Sequence, residues 1–197
     1  STKALSSSTQ VRPAADLSQF NPGNIISDEV FFDNTTMSET DVQAFLNGRV
    51  PRCSTGGNCL KDYRQSTPSR NADSYCSGYA GAPNESAARI IVKVAASCGI
   101  NPQVLLVTLQ KEQGLVDHTD PSASRYTVAM GQGCPDTAAC DTRYYGFFNQ
   151  VYGAARQFQI YAEGRWFTYY APGRTWNILY HPDGTRGCGS SPVYIAN

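Results

Sequence analysis

Charged side chains are scarce in this sequence, and no segment concentrates charge of one sign. They make up 16% of the 197 residues, and 16 basic residues balance 16 acidic ones. A nucleic-acid-binding protein needs a basic face to neutralise phosphates, whereas the basic residues here are scattered. We therefore exclude nucleic acid as a partner.

Long hydrophobic runs and histidines are also lacking. No apolar stretch approaches the roughly 18 residues that predict a membrane span, and the N-terminus has no signal-peptide pattern. His118 and His181 are the only histidines, and neither lies near a Cys-x-x-Cys pair, which argues against zinc. The Asp117–Asp120 segment, which precedes Pro121, is more typical of a solvated turn than of a metal site. We expect no metal, no cofactor, no membrane span and a monomer.

Cysteine, in contrast, is plentiful, with seven residues. Cys53 and Cys59 share a Cys-x5-Cys spacing with Cys134 and Cys140, and this spacing favours two local disulfides. Elimination then pairs Cys76 with Cys98. Cys188 is left over, which suggests a partner on a C-terminal segment that this chain lacks. Disulfides predict an exported protein.

The pattern along the chain predicts one domain with four helices. Residues 1–19 are rich in Ser, Thr and Ala and predict a flexible arm or linker, so the domain would span 20–197. The segment 48–82 should be irregular and disulfide-stapled. Apolar periodicity and end signals predict helices over 38–47, 84–98, 102–113 and 148–162.

Glu112 is the main candidate for chemistry. It would lie in the last turn of the 102–113 helix, between Thr108 and Leu109 on a helical wheel and above Leu105. Because apolar residues surround nearly the whole of this helix, we expect it to be central to the core. A carboxyl group held there suits a general acid, although a glutamate near a helix end is more often solvated.

Aromatic residues crowd the segment between Tyr144 and Tyr180, which holds more than half of those in the chain. Those before Gly164 fit the core face of a helix. Those beyond it, such as Tyr169 and Tyr170, are mixed with Pro and Gly and suit an exposed cleft wall on which sugars stack.

These segments resemble a known family. One segment is similar to the catalytic helix of lysozyme-superfamily enzymes of the soluble lytic transglycosylase and goose-type kind: Asn101-Pro-Gln-Val-Leu-Leu-Val-Thr-Leu-Gln-Lys-Glu112-Gln113. In those enzymes a Ser usually stands at the position of Gln113. A second segment, Tyr145-Gly-Phe-Phe-Asn149-Gln150, resembles the Gly-Leu-Met-Gln segment of these enzymes. The Gln of their segment corresponds to Asn149 or, after a one-residue shift, to Gln150. The resemblance covers roughly residues 84–175.

The resemblance implies a mainly α fold, with α+β as the alternative: a lysozyme-like helical core wrapped by disulfide-stapled loops. It implies a secreted or wall-associated bacterial glycosidase that cleaves peptidoglycan between N-acetylmuramic acid and N-acetylglucosamine, with Glu112 as the catalytic residue. It would be a lytic transglycosylase, or a muramidase aided by Asp117, Asp120 or Asp141. The implied substrate-binding residues are Gln113, Tyr145, Gly146, Phe148, Asn149, Gln150, Tyr169 and Tyr170.

One alternative of another class stays open, a non-catalytic module that binds a cell-wall glycan and does not use Glu112. A cysteine peptidase is disfavoured, because Cys188, the one cysteine left unpaired, lies between two glycines and has no activating cation in its sequence neighbourhood.

Overall fold

A computed structural model describes residues 18–135 and 138–196 of the chain. Most of the predicted arm over 1–19 lies outside these ranges, and the single domain over 20–197 stays a prediction. The described residues form two compact units. The helical unit is Ile26–Ala171, and the hairpin unit combines residues 18–25 with residues 172–196.

The helical unit contains six α-helices and a short two-stranded sheet. The helices are α1 (Asp28–Phe31), α2 (Glu39–Arg49), α3 (Ala87–Cys98), α4 (Pro102–Gln113), α5 (Ala123–Thr127) and α6 (Phe147–Glu163), and the strands are β1 (Arg64–Gln65) and β2 (Glu85–Ser86). Single 3-10 turns lie at Leu60–Asp62 and Thr142–Tyr144. All four predicted helices are confirmed, as α2, α3, α4 and α6.

Helix α3 is the centre of the core. Eight of its twelve residues are buried, and it packs against α2, α4 and α6. Burial of one large aliphatic side chain such as Ile90 or Ile91 contributes about 1.5–3 kcal/mol. The expectation that α4 would be central is wrong, because α4 buries one face and leaves Val107 66% exposed.

The hairpin unit is built on β3 (Arg174–Leu179) and β4 (Ser190–Ile195), which pair antiparallel. The register places Trp176 opposite Val193. The backbone N–H of Ala196, just after β4, donates to the carbonyl of Gly23 at 2.8 Å, which ties the segment before Ile25 to the hairpin.

The predicted mainly α, lysozyme-like fold class is therefore wrong. About 40% of the described residues are helical and 10% are in strands, so that the chain is mixed α/β with two small sheets. The physical reason lies in the segment from Arg174, where Trp176 and Ile178 are half-buried and Asn177 between them is exposed. This period of two is typical of a strand, and the interpretation of the aromatic residues there as a cleft wall does not account for it.

Three disulfides join the expected pairs: Cys53–Cys59 and Cys134–Cys140, which the spacing favoured, and Cys76–Cys98, which followed by elimination. Cys188 is unpaired and exposed. None of the helices in the described ranges has the length and apolar character needed to cross a membrane.

Candidate functional site

Helix α4 places Glu112 through signals at both of its ends. Asn101 caps the start, since its Oδ1 accepts from the N–H of Gln103 at 2.8 Å and its Nδ2 donates to the carbonyl of Val30 at 2.8 Å. Gly114 ends the helix in the left-handed conformation, with φ 62°. Glu112 is therefore the last residue but one of a helix whose start is fixed to α1.

The Glu112 carboxylate is partly open to solvent and faces a glycine. Its side chain is 32% exposed, and the Nζ of Lys111 lies 2.9 Å from Oε1. Because the Lys111 side chain is 76% exposed, this is a weak surface ion pair. A Cβ placed on Gly131 would lie 3.5 Å from Oε2, so that the glycine leaves room beside the carboxylate.

Gln150 holds the loop that contains Gly131. Its Oε1 accepts from the backbone N–H groups of Met130 and Gln132, both at 3.0 Å. Its Nε2 donates to the carbonyls of Gln132 at 2.8 Å and Tyr144 at 2.7 Å. The side chain is fully buried, which places Gln150 behind the loop and makes it a positioning residue.

Three further predicted residues are used to build the surroundings of this loop. Phe148 is fully buried, with its ring 4.7 Å from that of Tyr79. Gly146 precedes α6 with φ 98°, and its N–H donates to the carbonyl of Thr127. The carbonyl of Gln113 accepts from the guanidinium of Arg125.

A polar cleft of about 250 Å³ adjoins the Glu112 loop. Gln132, the residue after Gly131, lines it together with Asn149. Arginines at positions 70, 143 and 156 complete its polar wall. Gly153 allows Gln132 to pack closely against α6, because a Cβ there would lie 3.0 Å from the Cγ of Gln132. Gln132 thus connects the loop beside Glu112 with the cleft that Asn149 lines.

The predicted aromatic platform, Tyr169 and Tyr170, follows the C-terminal end of α6. Near that end, the Nε2 of Gln159 donates to the carbonyl of Cys98 at 2.7 Å, next to the start of α4. Helix α4 rises about 1.5 Å per residue, so its start is about 15 Å from Glu112. Tyr169 and Tyr170, 81% and 52% exposed, come after this end of α6. Tyr145 is 38% exposed at the opposite, N-terminal end of α6. Direct sugar contacts by all three stay a prediction.

Two of the three aspartates considered as second carboxylates have side-chain partners of their own. Asp117 accepts from Gln110 at 2.9 Å and lies 3.6 Å from a guanidinium nitrogen of Arg49. Asp141 accepts from Arg143 through both carboxylate oxygens, and these hydrogen bonds lower the pKa of Asp141. Asp120 donates its backbone N–H to the Nδ1 of His118.

Glu85 is a buried carboxylate that no sequence pattern indicated. It accepts hydrogen bonds from Thr67, from Lys93 and, at 2.7 Å, from Tyr79. Burial alone would raise the pKa of Glu85, but the hydrogen bonds outweigh burial and hold it below its ordinary value. Burial and the bond to Glu85 raise the pKa of Tyr79. Glu85 is saturated by these partners, so we assign it a structural role.

Arg70 and Gln132 were also missed, because no local pattern marks either residue. The side chain of Arg70 donates a hydrogen bond to Asn149, which lies 79 positions later in the sequence. Gln132 reaches the cleft only in the folded chain. Among the described residues, no group of three or more His, Cys, Asp or Glu side chains could hold a metal ion.

The family of the chain is shown by a match over residues 24–163 to the family described as LasA, N-terminal domain. No curated protein and no solved structure matches the chain. The matched segment ends at the last residue of α6, so it contains Glu112, its loop and the cleft but excludes Tyr169 and Tyr170. Because the match covers more than two thirds of the sequence, the chain belongs to the family of the LasA N-terminal domain.

Proposed function

We propose that the chain is a peptidoglycan-cleaving glycosidase that acts on the β-1,4 bond between N-acetylmuramic acid and N-acetylglucosamine. The observation that carries the proposal is the position of Glu112. Its carboxylate ends helix α4 beside Gly131, on a loop held by Gln150, and the next residue of that loop, Gln132, lines the cleft. In this proposal the glycan binds along the cleft and its scissile bond lies at Glu112.

Glu112 would act as general acid and then as base. In the first step its proton passes to the glycosidic oxygen as the bond to the muramic acid C1 breaks. In the second step the carboxylate takes the proton of the attacking hydroxyl group. If that group is the 6-hydroxyl of the same muramic acid, the product is a 1,6-anhydro sugar; if it is water, the product is a reducing end.

The lytic transglycosylase route suits the site better than the muramidase route. A muramidase uses a second carboxylate to assist water. Asp117 and Asp141 are each paired with an arginine, and within the described ranges no contact links them or Asp120 to Glu112. A single-carboxylate mechanism does not need them.

The place of action would be outside the cell, at the bacterial wall. Three disulfides in a chain of this size are typical of a protein exported from the reducing cytosol. Although the net charge of the chain is zero, the cleft contains Arg70, whose guanidinium has no carboxylate partner among the described residues. This local charge suits an anionic wall polymer.

The proposal is tested with Glu112→Gln, which keeps the size of the side chain and removes the acid. The variant is incubated with purified peptidoglycan, and the soluble products are identified by mass spectrometry. We expect the wild type to release anhydro-muropeptides and the variant to be slower by about 10²- to 10⁴-fold or more. Glu39→Gln, at the exposed start of α2, is the control and should cleave like the wild type. Equal rates for Glu112→Gln and wild type would remove Glu112 from the mechanism.

A non-catalytic wall-binding module is the second candidate. The cleft itself favours it, because the arginines and Asn149 would bind a polymer whether or not Glu112 reacts. Under this alternative neither the wild type nor Glu112→Gln releases fragments, and both sediment with insoluble peptidoglycan.

A further inference from the structure

The polar cleft beside α6 carries an unusual set of charges. Three arginines, Arg70, Arg143 and Arg156, line it, and no carboxylate side chain is among the residues of its wall. Two of the three are neutralised from outside the cleft. Arg143 pairs with Asp141 at 2.6 Å, and Arg156 pairs with Asp73 at 2.6 Å.

Arg70 differs from the other two arginines. Among the described residues it has no carboxylate partner, and its polar side-chain contact is a hydrogen bond from Nη2 to the Oδ1 of Asn149 at 2.8 Å. Its guanidinium carbon also lies 5.5 Å from the centre of the Phe148 ring. Most of its five N–H donors therefore remain for a ligand.

The Arg70 guanidinium is held in place before any ligand binds. The backbone of Arg70 exchanges two hydrogen bonds of 2.8 Å with Tyr79, and the Tyr79 ring packs on Phe148. Asn149 is fixed in turn, because its Nδ2 donates to the carbonyl of Tyr145 at 2.9 Å and so presents Oδ1 to Arg70. A guanidinium fixed in this way loses little freedom on binding and matches the two oxygens of a carboxylate.

We propose that Arg70 binds a carboxylate of the peptide stem attached to the muramic acid of the substrate. This inference rests on the proposed function, which places the substrate at Glu112. The Glu112 loop and the Arg70 cleft are joined through Gln132, which follows Gly131 in that loop and lines the cleft. The glycan bond would lie at Glu112, while the acidic peptide on the neighbouring sugar would enter the cleft.

The test measures binding of a soluble ligand that contains no bond for the enzyme to cleave. The ligand is the disaccharide N-acetylglucosaminyl-N-acetylmuramic acid with its tetrapeptide, titrated by calorimetry. The comparison ligands are the same molecule with its carboxylates amidated and a neutral N-acetylglucosamine tetramer. Arg70→Gln is compared with Arg52→Gln, which removes the same charge from an exposed position outside the cleft.

We expect Arg70→Gln to weaken binding of the acidic ligand about tenfold or more and to leave binding of the neutral tetramer unchanged. Arg52→Gln should change neither affinity, and wild type should bind the amidated ligand as weakly as Arg70→Gln binds the acidic one. Equal losses for the two arginine variants, or equal affinity for the acidic and amidated ligands, would overturn the proposal. Tighter binding of a glycerol phosphate oligomer through Arg70 would reassign the site to phosphate.

The result is independent of cleavage. If Glu112→Gln cleaves like wild type but Arg70→Gln loses the acidic ligand, the proposed acid is wrong and the carboxylate site stands. If Glu112→Gln is inactive and Arg70→Gln binds like Arg52→Gln, the glycosidase stands and the carboxylate site is refuted.

Discussion

The buried amide of Gln150 offers the strongest test of how the Glu112 loop is held. Gln150→Met keeps a side chain of similar length and volume while removing all four hydrogen bonds to Met130, Gln132 and Tyr144. The side chain is fully buried, so water has no direct route to the backbone groups that lose their partner. The change therefore probes hydrogen bonding and leaves packing nearly as it was.

The expected loss of stability follows from the number of bonds. One intramolecular hydrogen bond contributes about 0.5–1.5 kcal/mol net, and a buried group left unpaired costs about 1–3 kcal/mol. With two N–H groups and two carbonyls affected, we expect Gln150→Met to lower the free energy of unfolding by about 3–6 kcal/mol. This is a large part of the roughly 5–15 kcal/mol that a domain has.

Urea unfolding followed by circular dichroism, with the disulfides intact, measures this loss. Gln159→Met is the matched control on the same helix, where the amide donates to the carbonyls of Cys98 and Gly99 and the side chain is half-buried. It should cost about 1 kcal/mol. If Gln150→Met lost no more than this control, the four bonds would not be what fixes the loop.

Two further variants test the electrostatics and a helix start. Because the pKa of Glu85 in the folded chain lies below its ordinary value of 4.5, its stabilisation is complete above that pH and is lost as the pH falls through the lower value. Glu85→Gln should therefore be less stable than wild type at pH 7. In urea titrations below about pH 4.5 it should lose less stability than wild type, and parallel curves of stability against pH would contradict this. Ser38→Ala removes the capping box with Asp41 and should lower the free energy of unfolding by about 1 kcal/mol in the same assay. Ser122→Ala changes a helix start without a side-chain cap and should cost under about 0.5 kcal/mol. Equal losses would show that the cap adds no stability.

The helices were predictable because their signals are local. Gly99 and Gly114 adopt the left-handed conformation after α3 and α4, and Asn101 and Pro102 start α4, so residues adjacent in sequence fix both boundaries. The same holds for Cys53–Cys59 and Cys134–Cys140, whose loops are short enough for chain proximity to favour the pairing.

The strands were not predicted, for two different reasons. Strands β1 and β2 have two residues each, too few for any periodicity to show. Strands β3 and β4 do alternate, but the aromatic residues of that segment also fit an exposed binding wall, and only the pairing of Trp176 with Val193 decides between the two interpretations.

The sequence by itself determined where the main helices begin and end, the two disulfides that close short loops, and that Glu112 lies at the end of a helix, because these depend on neighbours within a few turns of chain. Only the tertiary structure decided that Gln150 is buried behind the Glu112 loop and that Arg70, Gln132 and Asn149 share one cleft. These residues come from distant parts of the chain and meet through the packing around α3. The direction and burial of each side chain depend on that packing, which leaves no periodic trace in the sequence.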